Sequence, residues 1–192
     1  LIPINNNLID QIFRFKEKKT KPFYSLKKNI TGETHQSKIL KITNFLKLNK
    51  ADYLFISAPE NIAWLLNIRG YDNPNSPIPN ARLIISKNKN IFLITHKNNT
   101  IRIIKENKIK KNQVINIEAL PKLITNLKGK NFIIDNKSCS IFYENLIKSK
   151  FEVLNKGDPI YKLKSIKNSQ EINHMIEAHK KDGLALTKFI YW

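Results

Sequence analysis

YLFISAPENIAWLLNIRGYDNPNSPIPNARLIIS, residues 53–86, passes through three kinds of local pattern in turn. Residues 53–57 form a short apolar run of strand type, and Pro59 then opens a helix that carries Ile62, Trp64, Leu65 and Leu66. Residues 69–81 hold Gly70, Pro74, Pro77 and Pro79, which forbid regular structure and stiffen a shaped loop. Residues 82–86 return to an apolar, β-branched run. Strand, helix, loop and strand in this order predict an α/β domain rather than a helical bundle or a β-sandwich.

The same alternation extends outward on both sides. Downstream, residues 91–95 make a second strand, joined to the first through Lys87-Asn88-Lys89-Asn90 as a hairpin. Upstream, Thr34 caps a helix whose stripe is Ile39, Ile42, Phe45, Leu46 and Leu48, with Lys38, Lys41 and Lys47 read as lying outside it. Further on, helices around residues 100–106, 119–127 and 138–148 alternate with strands at 114–117, 132–135 and 151–154. The expectation is one mixed sheet of about six strands covered by helices. Residues 158–167 read as a polar connector. Asn168 and Glu171 then have capping-box spacing, and a long helix is expected from there to Trp192. Its stripe of Ile172, Met175, Ile176, Leu186, Phe189 and Ile190 calls for a partner surface. At the other end, residues 7–13 read as a short helix and residues 14–31 as a Lys-rich linker. No internal repeat is present.

Composition narrows the function classes. With 41% hydrophobic and 26% charged residues in 192, the chain has the makings of a globular protein with a real core. No run approaches the roughly 18 apolar residues of a membrane helix, and the start, Leu-Ile-Pro-Ile-Asn-Asn-Asn, has no signal-peptide pattern. The absence of an initiator Met and the abrupt end at Tyr191-Trp192 lead to the expectation of an excerpt from a longer chain. Cys139 is the one cysteine, which excludes an internal disulfide and a multi-Cys zinc module and points to a reducing cytoplasm; it reads as a small buried thiol. The 34 basic residues against 15 acidic give a formal charge of +19, yet only Arg14, Arg69, Arg82 and Arg102 are arginines. Scattered Lys supports weak, nonspecific affinity for nucleic acid or other polyanions better than base readout.

Catalytic chemistry has little local support. His174 and His179 lie five apart, about 140° around a helix axis, which does not suit a metal pair. His35 and His96 read as solvated. No two carboxylates have the spacing of an acid/base pair, and no Gly-rich phosphate loop is present, so no cofactor is expected in this chain. The turn Asn67-Ile-Arg-Gly-Tyr-Asp72 is the most unusual feature. In one reading Arg69 presents its fork to a carboxylate or backbone carbonyl with Asp72 bracing it. In the other, Gly70 supplies a positive φ while Arg69 and Asp72 tie the loop to its own domain.

At this turn the chain resembles a known family. ENIAWLLNIRGYDNPNSPIPNARLII, residues 60–85, is similar to the middle domain of three-domain Xaa-Pro aminopeptidases, also called aminopeptidase P. LIPINNNLIDQIF, residues 1–13, resembles the end of their first domain, and LKSIKNSQEINHMIEAHKKDGLALTKFIYW, residues 163–192, resembles the entry into their catalytic domain. The resemblance implies residues 1–31 as the end of a first domain with its linker, residues 32–158 as a creatinase-like middle domain, and residues 159–192 as a connector and first helix of a pita-bread catalytic domain. It implies a whole enzyme that is cytoplasmic and homodimeric, acts on peptides with proline second, and carries two manganese ions on two Asp, two Glu and one His. None of those ligands is placed here, His174, His179 and Asp182 included, and the substrate-approaching first-domain arginine would lie upstream of Leu1. The chain alone is expected to be inactive. Arg69 and Asp72 remain its substrate-positioning candidates. A basic binding module, or a remnant protein with nonspecific affinity for polyanions, is the alternative.

Overall fold

The computed structural model describes Ile9, Ile12 and residues 21–192. The elements are β1 (Tyr24–Ser25), α1 (Lys28–Thr31), α2 (His35–Leu48), β2 (Tyr53–Ile56), α3 (Pro59–Leu66), β3 (Ile68–Arg69), β4 (Arg82–Ser86), β5 (Ile91–Ile94), α4 (Lys97–Lys105), β6 (Val114–Ile115), α5 (Leu120–Asn126), β7 (Asn131–Ile134), α6 (Ile141–Lys148), β8 (Glu152–Asn155), α7 (Pro159–Ser165) and α8 (Ser169–Tyr191). Ile9 and Ile12 are helical; the other residues of the expected 7–13 helix, and residues 14–20 of the linker, lie outside the described residues.

Six strands form one mixed sheet in the order β6-β5-β4-β2-β7-β8. β2 pairs antiparallel with β4 and parallel with β7, and β7 pairs parallel with β8. The β4–β5 hairpin closes as the sequence predicts, with Lys89 at φ 66° and Ser86 Oγ accepting the amides of Asn88 and Asn90. β2 is buried along its whole length because both faces of the sheet are covered. Period-two alternation divides its side chains. Leu54 and Ile56 join a core with Ile39, Ile42 and Leu46 of α2, Ile62 and Leu65 of α3, and Ile160 of α7. Tyr53 and Phe55 face Leu120 and Ile124 of α5 and Ile147 of α6. The helical stripes exist to cover these two surfaces, each fully buried Ile or Leu contributing about 1.5–3 kcal/mol.

Several sequence readings need correction. Residues 158–167 are not simply a connector: Asp158 accepts the amide of Ile160 at 2.9 Å and starts α7, which buries Ile160 completely. The Asp-Pro start signal was present, but a seven-residue helix offers too few apolar positions for a period to show. The described end of the expected linker is also structured. Phe23 is fully buried, its amide donates to Asn99 O at 2.7 Å, and β1 pairs with β3. One isolated aromatic carries no periodicity, so its burial was illegible. β3 also means that the loop after α3 begins with regular structure at Ile68–Arg69. His35, read as solvated, is buried at 9% exposure in the first turn of α2, whereas His96 is exposed. Lys38, read as outside the stripe, is 1% exposed, because it stands four residues before Ile42 on the apolar face.

Candidate functional site

The Arg69 turn begins where α3 stops. Asn67 takes the left-handed conformation (φ 52°, ψ 44°) as the C-cap, reversing the chain into β3. Arg69 then folds back on the helix it follows. Its Nη1 donates to Ala63 O at 3.1 Å and to Ile68 O at 2.9 Å, placing a cation at the C-terminus of a helix that has no basic residue in its own last turn. Burial lowers the guanidinium pKa and nearby Tyr24 opposes that shift.

Asp72 does not brace Arg69. Its Oδ2 accepts the amide of Asn80 at 2.6 Å and pins the far end of the loop, and no ion pair joins the two residues. Gly70 also works differently from the expectation. The positive φ belongs to Asn67, while Gly70 is needed for close approach, since a Cβ there would lie 2.7 Å from Pro79 Cα. Arg69 and Asp72 therefore hold opposite ends of a stiff loop. Asp72, Pro59 and Pro79 border an open hollow of about 370 Å³.

A second arrangement, missed from sequence, joins this turn to the last helix. Lys38 Nζ donates to Trp64 O at 3.0 Å and to Asn67 Oδ1 at 2.8 Å, and lies 3.9 Å from the Trp64 ring centroid. No carboxylate forms a salt bridge with it among the described residues. Burial pushes its pKa down to about 8, with Glu171 and Glu33 pulling it back up. Asn67 Nδ2 donates to Glu33 O at 2.8 Å and to Thr31 Oγ1 at 3.3 Å, so its amide is fully engaged. Trp64 Nε1 donates to Glu171 Oε1 at 3.3 Å.

Glu171 and Asn168 form the predicted capping box, with both bonds at 3.0 Å, and Asn168 Nδ2 donates to Thr31 O at 2.9 Å. Gly32, at φ 70°, leaves room for the Asn168 amide, which a Cβ would overlap. One chain of contacts thus runs from α2 through the end of α3 to the root of α8. Beyond that root, α8 has no buried residue.

Other candidates are structural. Cys139 is half-buried, and burial raises its thiol pKa to about 11, which keeps it protonated and unreactive. Past the carboxyl ends of β7 and β8, a cavity of about 940 Å³ is bordered by Asp135 and Asp158. Both are committed to the backbone: Asp135 accepts the amides of Asp158 and Lys137, and Asp158 also accepts Asn61 Nδ2 at 2.7 Å. His174 and His179 lie on the exposed face of α8. Among the described residues no group of three or more His, Cys, Asp or Glu is placed to hold a metal ion, and no helix is long and apolar enough to cross a membrane.

Comparison with known proteins agrees with this architecture. A family model described as the Creatinase/Prolidase N-terminal domain matches residues 15–171. Xaa-Pro aminopeptidase ApepP of Drosophila melanogaster is 29% identical over 201 residues, covering 100% of this chain and 32% of that protein. Xaa-Pro aminopeptidase 1 of Dictyostelium discoideum is 30% identical over 201 residues, covering 97% of this chain and 31% of that protein. The crystal structure of X-prolyl aminopeptidase from Caenorhabditis elegans, described as a cytosolic enzyme with a di-nuclear active site, has the same fold, with a TM-score of 0.83 at 21% identity over 100% of this chain and 32% of that one. This chain therefore spans about a third of the length of these relatives. With a two-sided mixed sheet of this order and a match running from residue 15 to residue 171, the chain belongs to the creatinase/prolidase N-terminal domain family.

Proposed function

We propose that this chain is the non-catalytic middle-domain portion of an Xaa-Pro aminopeptidase, whose whole enzyme removes the N-terminal residue from peptides with proline second. The observation that carries this reading is the state of α8. A 23-residue helix is capped and pinned at its root, yet it offers Ile172, Met175, Ile176, Leu186 and Phe189 to solvent. A helix built this way is a connector to a further body. Residues 1–31 would end a preceding domain, residues 32–158 would form the middle domain, and residues 159–192 would enter the catalytic one.

In this reading the chain's own contribution is positioning. The Lys38, Asn67 and Trp64 contacts fix the direction in which α8 leaves, and the loop held by Arg69 and Asp72 shapes the approach to the site. Two manganese ions in the catalytic domain would polarise the scissile carbonyl and activate water. The described residues do not fit such a pair, so no step runs through them. A cytosolic location and a homodimeric whole enzyme belong to the same proposal. Nucleic acid would bind only weakly through Lys point charges, falling steeply with salt.

Hydrogen exchange tests the reading. Amides of α8 from Ile172 to Ile190 should exchange quickly in the 192-residue chain and become strongly protected in the protein encoded by the full reading frame around it. Equal, rapid exchange in both would overturn it.

A further inference from the structure

The start of α2 has the makings of an anion site. Thr34 caps the helix through its side chain, accepting the amide of Ser37 at 3.2 Å, and its carbonyl accepts Lys38 N at 3.2 Å. The amides of His35 and Gln36, one residue nearer the end, donate to no acceptor among the described residues. They carry the positive end of a 14-residue helix. A cavity of about 250 Å³ opens there, lined by His35 and Gln36 and, from outside the helix, by Lys28, Glu106 and Lys108.

A helix end alone would not define a site, but a second observation points the same way. The His35 imidazole is buried to 9% exposure and borders this cavity, yet neither ring nitrogen has a hydrogen-bond partner among the described residues. The ring nitrogens themselves keep solvent access, so a ligand can reach them without displacing a protein partner. Lys28 and Lys108 likewise form no ion pair among the described residues. The one carboxylate present, Glu106, is already committed: it accepts from Ser25 Oγ and, at 2.8 Å, from Arg102 Nε. The cavity is therefore lined by two lysines, by two residues whose amides are free and by an imidazole without a protein partner, against one carboxylate that is already engaged. Burial and the facing Lys108 hold the His35 pKa near 4, so the ring is neutral, with one nitrogen to donate and one to accept.

We propose that this cavity binds one tetrahedral oxyanion of the phosphate class, held by the amides of His35 and Gln36, the His35 ring and the ammonium groups of Lys28 and Lys108. A carboxylate has two oxygens and no proton to give at neutral pH. Hydrogen phosphate has three acceptor oxygens for the amides and ammonium groups and one P–OH for the free ring nitrogen, so it satisfies every group. The site lies within the described middle domain and does not depend on the enzyme reading above.

The test is titration of the 192-residue chain with inorganic phosphate in a chloride buffer of constant, physiological ionic strength, followed by amide NMR. One saturable site should shift the His35 and Gln36 amides and raise Tm. Lys28→Gln and Lys108→Gln, both on accessible side chains, should each weaken binding about tenfold, while Lys89→Gln in the β4–β5 turn leaves it unchanged. Competition by phosphoserine would assign the site to esterified phosphate, and failure to compete would assign it to the free ion; either supports the site. Shifts spread over surface lysines without saturation, or equal affinity in all three variants, would overturn the proposal.

Discussion

The Lys38 ammonium lies 3.9 Å from the centroid of the Trp64 ring and also donates to the carbonyl of that residue at 3.0 Å. A buried lysine without a carboxylate partner is costly, and here the cost is offset by two carbonyl acceptors and a π-face. Lys38→Met keeps the volume but leaves Trp64 O and Asn67 Oδ1 without their donor. It should destabilise the chain by about 1–3 kcal/mol at pH 7 in urea unfolding. The folded pKa of about 8 lies below the ordinary 10.5, so the unfolded chain binds more protons in that window and stability rises with pH between them. The wild type should gain up to about 3 kcal/mol over this range relative to Lys38→Met. A parallel pH dependence in the two proteins would refute the placement of Lys38.

His35 acts at the other end of the pH scale. Its folded pKa of about 4 lies below 6.5, so the unfolded state takes up the extra proton and stability falls as pH drops through this window. In phosphate-free buffer, His35→Gln should remove up to about 3 kcal/mol of the acid-induced loss seen in wild type. Denaturant midpoints at pH 7 and pH 4.5 measure this directly.

Gly32 is required twice, for a φ of 70° and for contact with Asn168. Gly32→Ala should cost about 1–3 kcal/mol, combining left-handed strain with displacement of the Asn168 amide. Asn168→Ala, which removes a cap without backbone strain, should cost about 1 kcal/mol. Both should speed exchange at the Glu171 and Ile172 amides while leaving those of β2 unchanged.

Arg69 separates a role in folding from one in positioning substrate. Because its Nη1 donates to Ala63 O in the last turn of α3 and to Ile68 O just beyond it, Arg69→Ala should lower stability by about 1–2 kcal/mol in this chain. In the whole enzyme, normal kcat/KM at low temperature with a lowered Tm would assign Arg69 to the loop anchor, the role its contacts favour. Lower kcat/KM with unchanged Tm would assign it to the substrate.

The strands and most helices were readable because each carries a local signal, a short apolar run or a helical period. Residues 53–56 form a short unbroken apolar run of strand length, and Ile39, Ile42 and Leu46 repeat at helical spacing. The capping box of α8 was readable because Asn168 and Glu171 are local to each other. What escaped depends on residues far apart in sequence. Phe23 is buried by elements that follow it much later, and Lys38 is satisfied by the end of a different helix. Asp72 seemed to face Arg69 because they are close in the chain, but its partner is Asn80, across the proline loop. Burial of His35 likewise reflects what packs over the α2 start rather than any neighbour in sequence.

The role proposed for this chain is that of a positioning part of a peptidase whose chemistry lies outside it. The most direct measurement is turnover of an Xaa-Pro peptide by the purified, manganese-supplemented 192-residue chain, beside the protein from the full reading frame. The chain should show no turnover and no stoichiometric metal, and the longer protein should release the N-terminal residue. Turnover by the chain itself, free of host enzyme, or an inert longer protein would contradict that role.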